Sequence, residues 1–277
     1  MTTTAPISVT TARQRDRLLE RLRGLGSALV AFSGGVDSGT LLKAAVVALA
    51  KGKALGITVV GDIFPSYEVK LAVRIAREHG FPHRLVEMSP IELEEFTSNP
   101  PERCYYCKRF LFSRLAEAGR AEGFDHVLDG SNADDVGDHR PGLRAVAELN
   151  ILSPLKELGI TKAQTREMAR AWGLPNWDEP SAACLASRVP YGQVITREKL
   201  ARIDAAESFL RRAFGLRQLR VRHDGPTARI ETAPAEIARL AAPDARAAIV
   251  ARLRELGFQY VSLDLSGYRT GSLNEVI

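Results

Sequence analysis

Residues 33–38 read Ser-Gly-Gly-Val-Asp-Ser and lie between an apolar segment and a segment whose apolar residues follow a helical period. The apolar segment, residues 28–32, is predicted to be a buried strand, and the residues after the turn are predicted to form a helix. A strand, a glycine-containing turn and a helix N-terminus together present several backbone N–H groups to one point. The sequence therefore predicts an anion-binding turn within an α/β fold.

The residue types in this turn suit a polyphosphate. Gly34 and Gly35 let the backbone approach a phosphate with no side chain in between. Ser33 and Ser38 add hydroxyl donors, and Asp37 is suited to hold a metal ion that accompanies the phosphates.

The turn lacks the Gly-Lys-Ser/Thr ending of a Walker loop. It resembles instead the pyrophosphate loop of ATP pyrophosphatases. That resemblance implies transfer of AMP to a substrate oxygen with loss of pyrophosphate. The alternative is a tight strand–helix turn with two incidental glycines.

Strands and helices are predicted to alternate over the first two-thirds of the chain, which indicates a doubly wound parallel α/β sheet. Ligands bind beyond the carboxyl ends of strands in such sheets. Ser33, Asp62 and residues 130–132 each follow a predicted strand, so we expect them to face one crevice. Asp134 and Asp135 are expected either to face that crevice or to stabilise a turn. The predicted strands are residues 28–32, 54–60, 83–88 and 126–129, and the predicted helices are residues 38–50, 67–79, 91–96, 103–122 and 161–172.

Prolines and glycines interrupt this pattern near residues 175–192. We therefore predict an ATP-pyrophosphatase α/β domain over residues 1–174 and an irregular connector over residues 175–192 that carries Cys184. A small α+β domain for substrate binding or oligomerisation is predicted over residues 193–277. Its predicted elements are a helix capped by Thr196, a hairpin of residues 218–223 and 228–232, two short helices, and a final strand over residues 260–265.

Composition indicates a globular protein of the cytoplasm. The chain has 277 residues, which favours two domains, with 45% hydrophobic and 26% charged residues. It contains no run of eighteen apolar residues, and its first residues lack an apolar signal core, so we expect no membrane contact. Three cysteines are too few and too odd in number for a disulfide framework, so their thiols are expected to be reduced.

The net charge of +5 comes from the C-terminal third. Residues 185–277 contain 15 basic and 10 acidic residues, whereas the preceding residues contain 23 of each. This bias favours an anionic partner, either a nucleotide-like small molecule or RNA. The alternative is a solvated face rich in arginine.

Three cysteines are candidates for chemistry. Cys104 and Cys107 form a C-x-x-C at the start of a predicted helix, and Cys184 lies in the connector. The three thiols predict an iron–sulfur cluster with one open iron, a zinc site, or a redox pair with an unrelated third thiol. Next to Ser187 and Arg188, Cys184 is also placed to react as a thiolate nucleophile, the alternative being a small buried hydrophobe.

Five longer strings make the resemblance specific. They are NPPERCYYCK, DGSNADDVGDHRPGLRA, SPLKELGITK, EPSAACLASRVPYG and VRHDGPTARIE, in this order. Together they resemble the LarE family, whose members are ATP-dependent sulfur transferases in the synthesis of the nickel-pincer nucleotide of lactate racemase. The resemblance covers residues 26–231 and implies an adenine nucleotide alpha hydrolase-like fold. It also implies a pyridinium dicarboxylate mononucleotide substrate, which is adenylated on a carboxylate and converted to a thiocarboxylate.

The resemblance leaves two sources of sulfur open. In family members with a single cysteine, the residue matching Cys184 gives up its own sulfur and becomes dehydroalanine. This chain differs from them because Cys104 and Cys107 are present. It resembles the three-cysteine branch, which implies that these three residues hold a [4Fe–4S] cluster and that a sulfide on the open iron is the donor.

Two further pairs of residues are assigned through the resemblance. Arg220 and Arg222 alternate along a predicted strand, so both point to one face. The resemblance implies that they bind the substrate phosphate, and the alternative is a solvent-facing edge strand. Glu207 and Glu231 match family positions near a divalent metal, and the alternative is a pair of surface acids.

The resemblance implies a homo-oligomer that binds no nucleic acid and hands its product to a nickel-inserting cyclometallase. A tRNA thiolase with the same ATP loop is the main alternative, although the charge surplus is small and no RNA-binding motif is present. The other alternative is an ATP-sensing or scaffold protein with a decayed site, against which the intact loop and Cys184 argue.

Overall fold

The computed structural model describes residues 6–135, 141–180, 183–269 and 271. These residues form two compact units. The first unit takes its residues from Met1–Gly61, Tyr67–Met88 and Cys104–Ala182, and the second from Asp62–Ser66, Ser89–Arg103 and Ala183–Ile277. The division into residues 1–174, 175–192 and 193–277 stays a prediction, and residues 181 and 182 of the connector lie outside the described residues.

The elements are numbered in chain order over the described residues. The helices are α1 (Val9–Arg23), α2 (Val36–Ala48), α3 (Ser66–Glu78), α4 (Glu94–Thr97), α5 (Arg103–Ala121), α6 (Pro141–Glu148), α7 (Pro154–Glu157), α8 (Lys162–Ala171), α9 (Arg197–Phe214), α10 (Pro234–Ala241) and α11 (Pro243–Glu255). The strands are β1 (Ala28–Ala31), β2 (Ala54–Val60), β3 (His83–Glu87), β4 (Val127–Leu128), β5 (Leu219–Asp224), β6 (Thr227–Thr232) and β7 (Tyr260–Leu263). None of these helices has the length and apolar character needed to cross a membrane.

The first unit is built on a parallel sheet with the strand order β3-β2-β1-β4 in its described residues. The predicted doubly wound α/β class is therefore confirmed. Strand β2 pairs with one edge of β1 and β3 pairs with β2, whereas β4 pairs with the other edge of β1. The topology thus reverses between β1 and β4, which is the position where open parallel sheets bind ligands.

Apolar clusters cover both faces of this sheet. Successive residues of a strand point to opposite faces, so neighbouring residues of β1 join different clusters. Val30 of β1 joins an apolar cluster with Leu41 of α2 and Met168 of α8. Leu29, its neighbour in the chain, joins a separate cluster with Phe112 of α5 on the other side.

Helix α1 is an element that the sequence pattern did not predict. Its N-terminus is capped by Ser8, whose hydroxyl accepts the N–H of Thr11 at 3.2 Å. Leu18 and Leu22 are fully buried in the core, while most of the other positions are polar. Such a narrow apolar stripe gives only a weak helical period in the sequence, which explains why α1 was not predicted.

The second unit contains the predicted α+β arrangement. Strands β5 and β6 form an antiparallel hairpin, and β7 pairs with β6 in parallel. Thr196 caps α9 by accepting the N–H of Lys199 at 3.2 Å, as predicted, and Gly215 ends this helix in a left-handed conformation. Leu219 and Val221 of β5 face an apolar core that includes residues of α9 and α11.

His223 faces the same core, where its ring is shielded from water. Its side chain is buried, with its ring 5.3 Å from that of Phe258. No described residue offers either ring nitrogen a hydrogen bond. Burial lowers the pKa of His223 and the nearby charges of Lys199 and Arg202 lower it further, while its own backbone and Asp224 oppose this effect.

The first prediction follows from this lowered pKa. The folded chain binds a proton at His223 only at a lower pH than the unfolded chain, in which this residue has its ordinary pKa of about 6.5. The contribution of His223 to the free energy of unfolding is therefore largest above that pH. It decreases as the pH falls below it, by at most about 1.4 kcal/mol per pH unit for one proton. His223→Leu should flatten the decline in melting temperature between pH 7 and pH 5. An unchanged slope would show that His223 does not contribute.

Candidate functional site

The turn after β1 has the geometry of an anion-binding loop. Gly34 has a φ of +83°, and a Cβ atom on it would lie 3.0 Å from both the backbone nitrogen and the Cβ atom of Ala72. The hydroxyls of Ser33 and Ser38 lie 3.1 Å apart, and the Gly35 N–H donates to Ser33 Oγ at 3.3 Å. Gly35 is the N-cap residue of α2 and provides no side-chain cap for the first N–H groups of the helix.

The loop after β4 meets this turn at the reversal of the sheet. A Cβ atom on Gly130 would lie 2.9 Å from the backbone nitrogen of Ser38, so only glycine allows the two loops to approach this closely. The base of the second loop is fixed by Asp129, which is buried and accepts hydrogen bonds from Ser131 Oγ at 2.7 Å and Ser153 Oγ at 2.6 Å.

Asp37, in the first turn of α2, is ion-paired with Lys162 of α8. Burial raises the pKa of Asp37, and the charge of Lys162 opposes this effect. The Oδ1 atom of Asp37 is buried and has no hydrogen-bond partner among the described residues. One carboxylate oxygen is thus held by an ammonium group, and the side chain of Asn132 also favours the charged form of this carboxylate and so lowers its pKa.

Lys162 is a site residue that the sequence reasoning missed. Its backbone N–H donates to Asp134 Oδ2 at 2.8 Å, which places α8 against the loop after β4. Asp135 Oδ2 accepts the backbone N–H of Asn132 at 2.9 Å. Asp134 and Asp135 therefore stabilise the helix start and the turn. The string SPLKELGITK ends at Lys162 and was the available signal.

Asn176 is a second residue that the sequence did not reveal. Its side chain is fully buried and donates from Nδ2 to the carbonyl oxygen of Gly34 at 2.7 Å. This bond holds the loop from the side opposite its N–H groups. A single asparagine in an irregular stretch carries no periodic signal, so only the folded contacts identify it.

Cys184 lies in the second unit, where residues 183–188 form a short loop that contains the 3-10 turn Leu185–Arg188. The thiol-bearing residue is half-buried. Its carbonyl oxygen accepts hydrogen bonds from Ser187 Oγ at 2.8 Å and from Arg188 Nη1 at 2.9 Å. The Leu185 N–H donates to the carbonyl oxygen of Ile63 at 2.8 Å, which ties the loop to an early segment of the chain.

Arg188 and Glu207 form a fully buried ion pair beside this loop. Two parallel bonds of 2.8 and 3.0 Å join the guanidinium group to the carboxylate. Burial by itself would raise the pKa of Glu207, but the positive charge and hydrogen bonds of Arg188 keep it below its ordinary value. The Val221 N–H of β5 also donates to Glu207 Oε1 at 3.0 Å.

Arg220 and Arg222 lie two residues apart on β5, so they share one face of the strand. Both side chains are buried. Arg222 binds Glu231 through bonds of 2.9 and 2.7 Å and also donates to the carbonyl oxygen of Ser187 at 2.7 Å. The Arg220 guanidinium group lies 5.1 Å from the ring centre of Tyr268. Binding of a substrate phosphate by these arginines stays a prediction.

The structure pairs both predicted metal-binding glutamates with arginine. Glu207 binds Arg188, and Glu231 binds Arg222 and Arg229. A divalent cation at either carboxylate would have to displace a guanidinium group. Within the described residues, no group of three or more His, Cys, Asp and Glu side chains is arranged to hold a metal ion. The metal role of these glutamates also stays a prediction.

Cys104 and Cys107 lie at the start of α5 in the first unit, three residues apart and hence on the same side of the helix. Cys104 is half-buried, Cys107 is buried, and neither forms a disulfide. The intervening Tyr105 donates to Glu148 at 2.7 Å and stacks on Arg144 of α6. Tyr105 therefore joins α5 to α6.

Comparison with known proteins shows which family these features belong to. No protein-family model matches the chain. An uncharacterised protein of Synechocystis sp. is 41% identical over 263 residues, which cover 94% of this chain and 97% of that protein. The pyridinium-3,5-bisthiocarboxylic acid mononucleotide synthase of Lactiplantibacillus plantarum is 34% identical over 268 residues, covering 97% of this chain and 96% of the synthase. This chain belongs to the LarE family.

Membership of the LarE family covers nearly the whole chain and so includes both compact units. An uncharacterised protein of Methanocaldococcus jannaschii is also similar, with 28% identity over 242 residues, or 87% of this chain and 90% of that protein. The resemblance drawn from the sequence strings is confirmed at the level of the LarE family. Because its relative is a synthase, an enzymatic activity is supported. Membership of the three-cysteine branch stays a prediction.

Proposed function

We propose that this LarE-family chain is an ATP-dependent sulfur transferase that converts a carboxylate of a pyridinium dicarboxylate mononucleotide into a thiocarboxylate. The similarity to the bisthiocarboxylic acid mononucleotide synthase over 97% of the chain carries this proposal. The name of that synthase describes a product with two sulfur-containing acid groups. The product would serve the synthesis of a nickel-pincer nucleotide.

The loop of residues 33–38 is assigned to the pyrophosphate part of ATP. Uncapped N–H groups at the start of α2 and the hydroxyls of Ser33 and Ser38 are donors suited to phosphate oxygens. Lys162 adds a positive charge beside Asp37. The unpartnered Oδ1 atom of Asp37 fits a Mg²⁺ ion, which would neutralise charge on the phosphates.

Adenylation overcomes the low reactivity of a carboxylate. A substrate carboxylate oxygen attacks the α-phosphorus of ATP, an acyl–phosphate bond forms, and pyrophosphate leaves. Sulfur then attacks the acyl carbon, the C–S bond forms, and AMP leaves. The protein supplies positioning and neutralises charge in the first step, and presents the sulfur nucleophile in the second.

Two sulfur donors are compatible with the three cysteines. In one route Cys184 Sγ attacks the acyl carbon, its Cβ–Sγ bond breaks with loss of the α-proton, and dehydroalanine remains in the protein. In the other route, which we favour, Cys104, Cys107 and Cys184 hold a [4Fe–4S] cluster that would supply an exchangeable sulfide. The number of thiols favours this route, because three thiolates would leave one iron without a protein ligand.

The remaining roles extend the proposal to the whole chain. Arg220 and Arg222 are assigned to the substrate phosphate, because paired guanidinium groups on one strand face suit a phosphate. Glu207 and Glu231 are retained as candidate ligands of a divalent metal. Assembly as a homo-oligomer, a cytoplasmic location and transfer of the product to a nickel-inserting cyclometallase complete the proposal.

The test is incubation of the purified protein with ATP, Mg²⁺ and the pyridinium dicarboxylate mononucleotide under reducing, anaerobic conditions. AMP, pyrophosphate and a thiocarboxylate are expected in equal amounts. Formation of ADP, or an acid that stays free of sulfur, would refute the proposal. Unmodified tRNA in place of the mononucleotide should give no thiolated product, and thiolated tRNA would establish the alternative.

A second prediction separates the two sulfur donors. Anaerobic reconstitution with iron and sulfide should give brown protein with about four irons per chain, as a cubane cluster requires. Its mass should be unchanged after turnover in the presence of sulfide. Colourless protein that loses one sulfur and two hydrogens per turnover would instead establish Cys184 as a consumed donor.

A further inference from the structure

The backbone around Cys184 is held on both sides by arginine side chains. Arg188 Nη1 donates to the carbonyl oxygens of Ala183 at 2.7 Å and Cys184 at 2.9 Å. Arg222 Nη1 donates to the carbonyl oxygen of Ser187 at 2.7 Å. Charged donors bind carbonyl oxygens more strongly than neutral ones, so these bonds define the path of the loop.

Arg188 is in turn anchored by Glu207. The two side chains are 0% and 1% exposed, and two parallel bonds fix the plane of the guanidinium group. Apolar residues of similar volume would stabilise a buried site at least as well as an ion pair. What the pair adds is a rigid donor, Nη1, aimed at the two carbonyl oxygens next to the thiol.

The donor is also shared with a side chain of the loop. Arg188 Nη1 lies 3.0 Å from Ser187 Oγ, and that hydroxyl donates to the carbonyl oxygen of Cys184 at 2.8 Å. The Cys184 carbonyl therefore accepts from two side chains as well as from the Ser187 N–H at 3.0 Å. A loop held by this many bonds at one peptide group has little freedom to rotate about Cys184.

We propose that Arg188, anchored by Glu207, is a positioning residue that holds the Cys184 thiol in the orientation needed for sulfur transfer. This inference rests on the proposed function. It gives Glu207 a role through Arg188 that does not depend on metal binding. The arginine acts on the backbone of the loop and does not touch the substrate.

Arg188→Lys is the first test, because lysine keeps the charge but cannot bind Glu207 through two parallel bonds and still reach both carbonyl oxygens. The kcat for thiocarboxylate formation should fall about 100-fold, as expected for a displacement of about 1 Å. The KM for the mononucleotide and the single-turnover rate of pyrophosphate release should stay at wild-type values. The rate at which iodoacetamide alkylates Cys184, measured by peptide mass spectrometry without substrate, should rise several-fold.

Two other cysteines in the same sample and one control variant make the alkylation result specific. In protein freed of any iron–sulfur cluster, Cys104 and Cys107 of the same sample should react at wild-type rates, because they belong to the other unit. Arg239→Lys is the matched control, since the exposed Arg239 contacts Glu236 and the carbonyl oxygen of Phe214 and has no hydrogen bond to residues 183–188 in the described structure. This variant should leave Cys184 alkylation unchanged.

A second variant covers the case in which Arg188→Lys does not fold. Replacing the pair together, Arg188→Met with Glu207→Leu, fills the same space with apolar side chains and removes the buried charges, a change that proteins commonly tolerate. The folded double variant should again alkylate faster at Cys184 and transfer sulfur more slowly. Wild-type behaviour in both assays would overturn the positioning role.

The outcomes also separate the positioning role from its alternatives. If Glu207 instead acts only by binding a divalent metal, the Arg188→Lys variant should transfer sulfur at the wild-type rate. The Glu207→Gln variant should then be impaired, and excess Mg²⁺ should restore its activity. This pair of results would overturn the inference. If the wild type releases no pyrophosphate with the mononucleotide, the proposed function fails. The alkylation rates measured without substrate still decide whether Arg188 orients Cys184.

Discussion

Replacing Cys184 with alanine is expected to abolish thiocarboxylate formation while ATP-dependent release of pyrophosphate continues. The hydrogen bonds that fix this loop reach the carbonyl oxygen of Cys184, which alanine retains, so the substitution removes the sulfur and little else. The loop assigned to ATP belongs to the other compact unit. Product analysis and pyrophosphate release, measured on the same sample, check this prediction.

The matched controls are Cys104→Ala and Cys107→Ala. If a cluster supplies the sulfur, both variants should lose transfer as Cys184→Ala does, because each removes one ligand. If Cys184 is consumed, both should keep a single turnover. Loss of pyrophosphate release together with sulfur transfer in Cys184→Ala would contradict the division of labour between the two steps.

Gly34→Ala is expected to have the second large effect, on both stability and adenylation. A residue other than glycine at a φ of +83° costs about 1–2 kcal/mol. The added methyl group would also lie 3.0 Å from backbone and side-chain atoms of Ala72 in α3, and such overpacking costs about 1–3 kcal/mol more. The melting temperature should fall by about 5–15 °C. Adenylation should fall about 100-fold because the loop is displaced.

Gly26→Ala separates the two causes. Gly26 has a φ of +75°, but a Cβ atom on it would have no neighbour within 4 Å. This variant therefore carries the backbone cost alone and should keep wild-type adenylation. Equal losses of melting temperature in Gly26→Ala and Gly34→Ala would show that the close approach to Ala72 is unimportant. The measurements are calorimetric melting and pyrophosphate release.

The turn of residues 33–38 and the sheet were predictable because their signals are local. A run of apolar residues followed by Ser-Gly-Gly-Val-Asp-Ser determines a strand, a turn and a helix start within a few residues. Alternating strands and helices predicted the parallel sheet, and the observed order β3-β2-β1-β4 agrees with it. The meeting of the loops after β1 and β4, where Gly130 lies against Ser38, depends on that order.

Lys162, Asn176 and Arg188 were not predicted as site residues, and the first two act through contacts between distant segments. Lys162 reaches Asp37 across 125 positions of the chain, and Asn176 reaches Gly34 across 142. Arg188 was noted only as a neighbour of Cys184, and its ion pair with Glu207 has no sequence signature. Burial and hydrogen bonding of single polar residues leave no periodic trace in a sequence.

The sequence alone determined the family, the α/β class and the identity of the residues that can carry chemistry, because strand and helix periods, turn glycines and thiols are properties of neighbouring residues. Only the tertiary structure decided what those residues contact. Glu207 and Glu231 could be assigned to a metal from the sequence, but folding places an arginine against each of them. Partner choice among buried charges is set by which elements pack together, and that information is distributed over the whole chain.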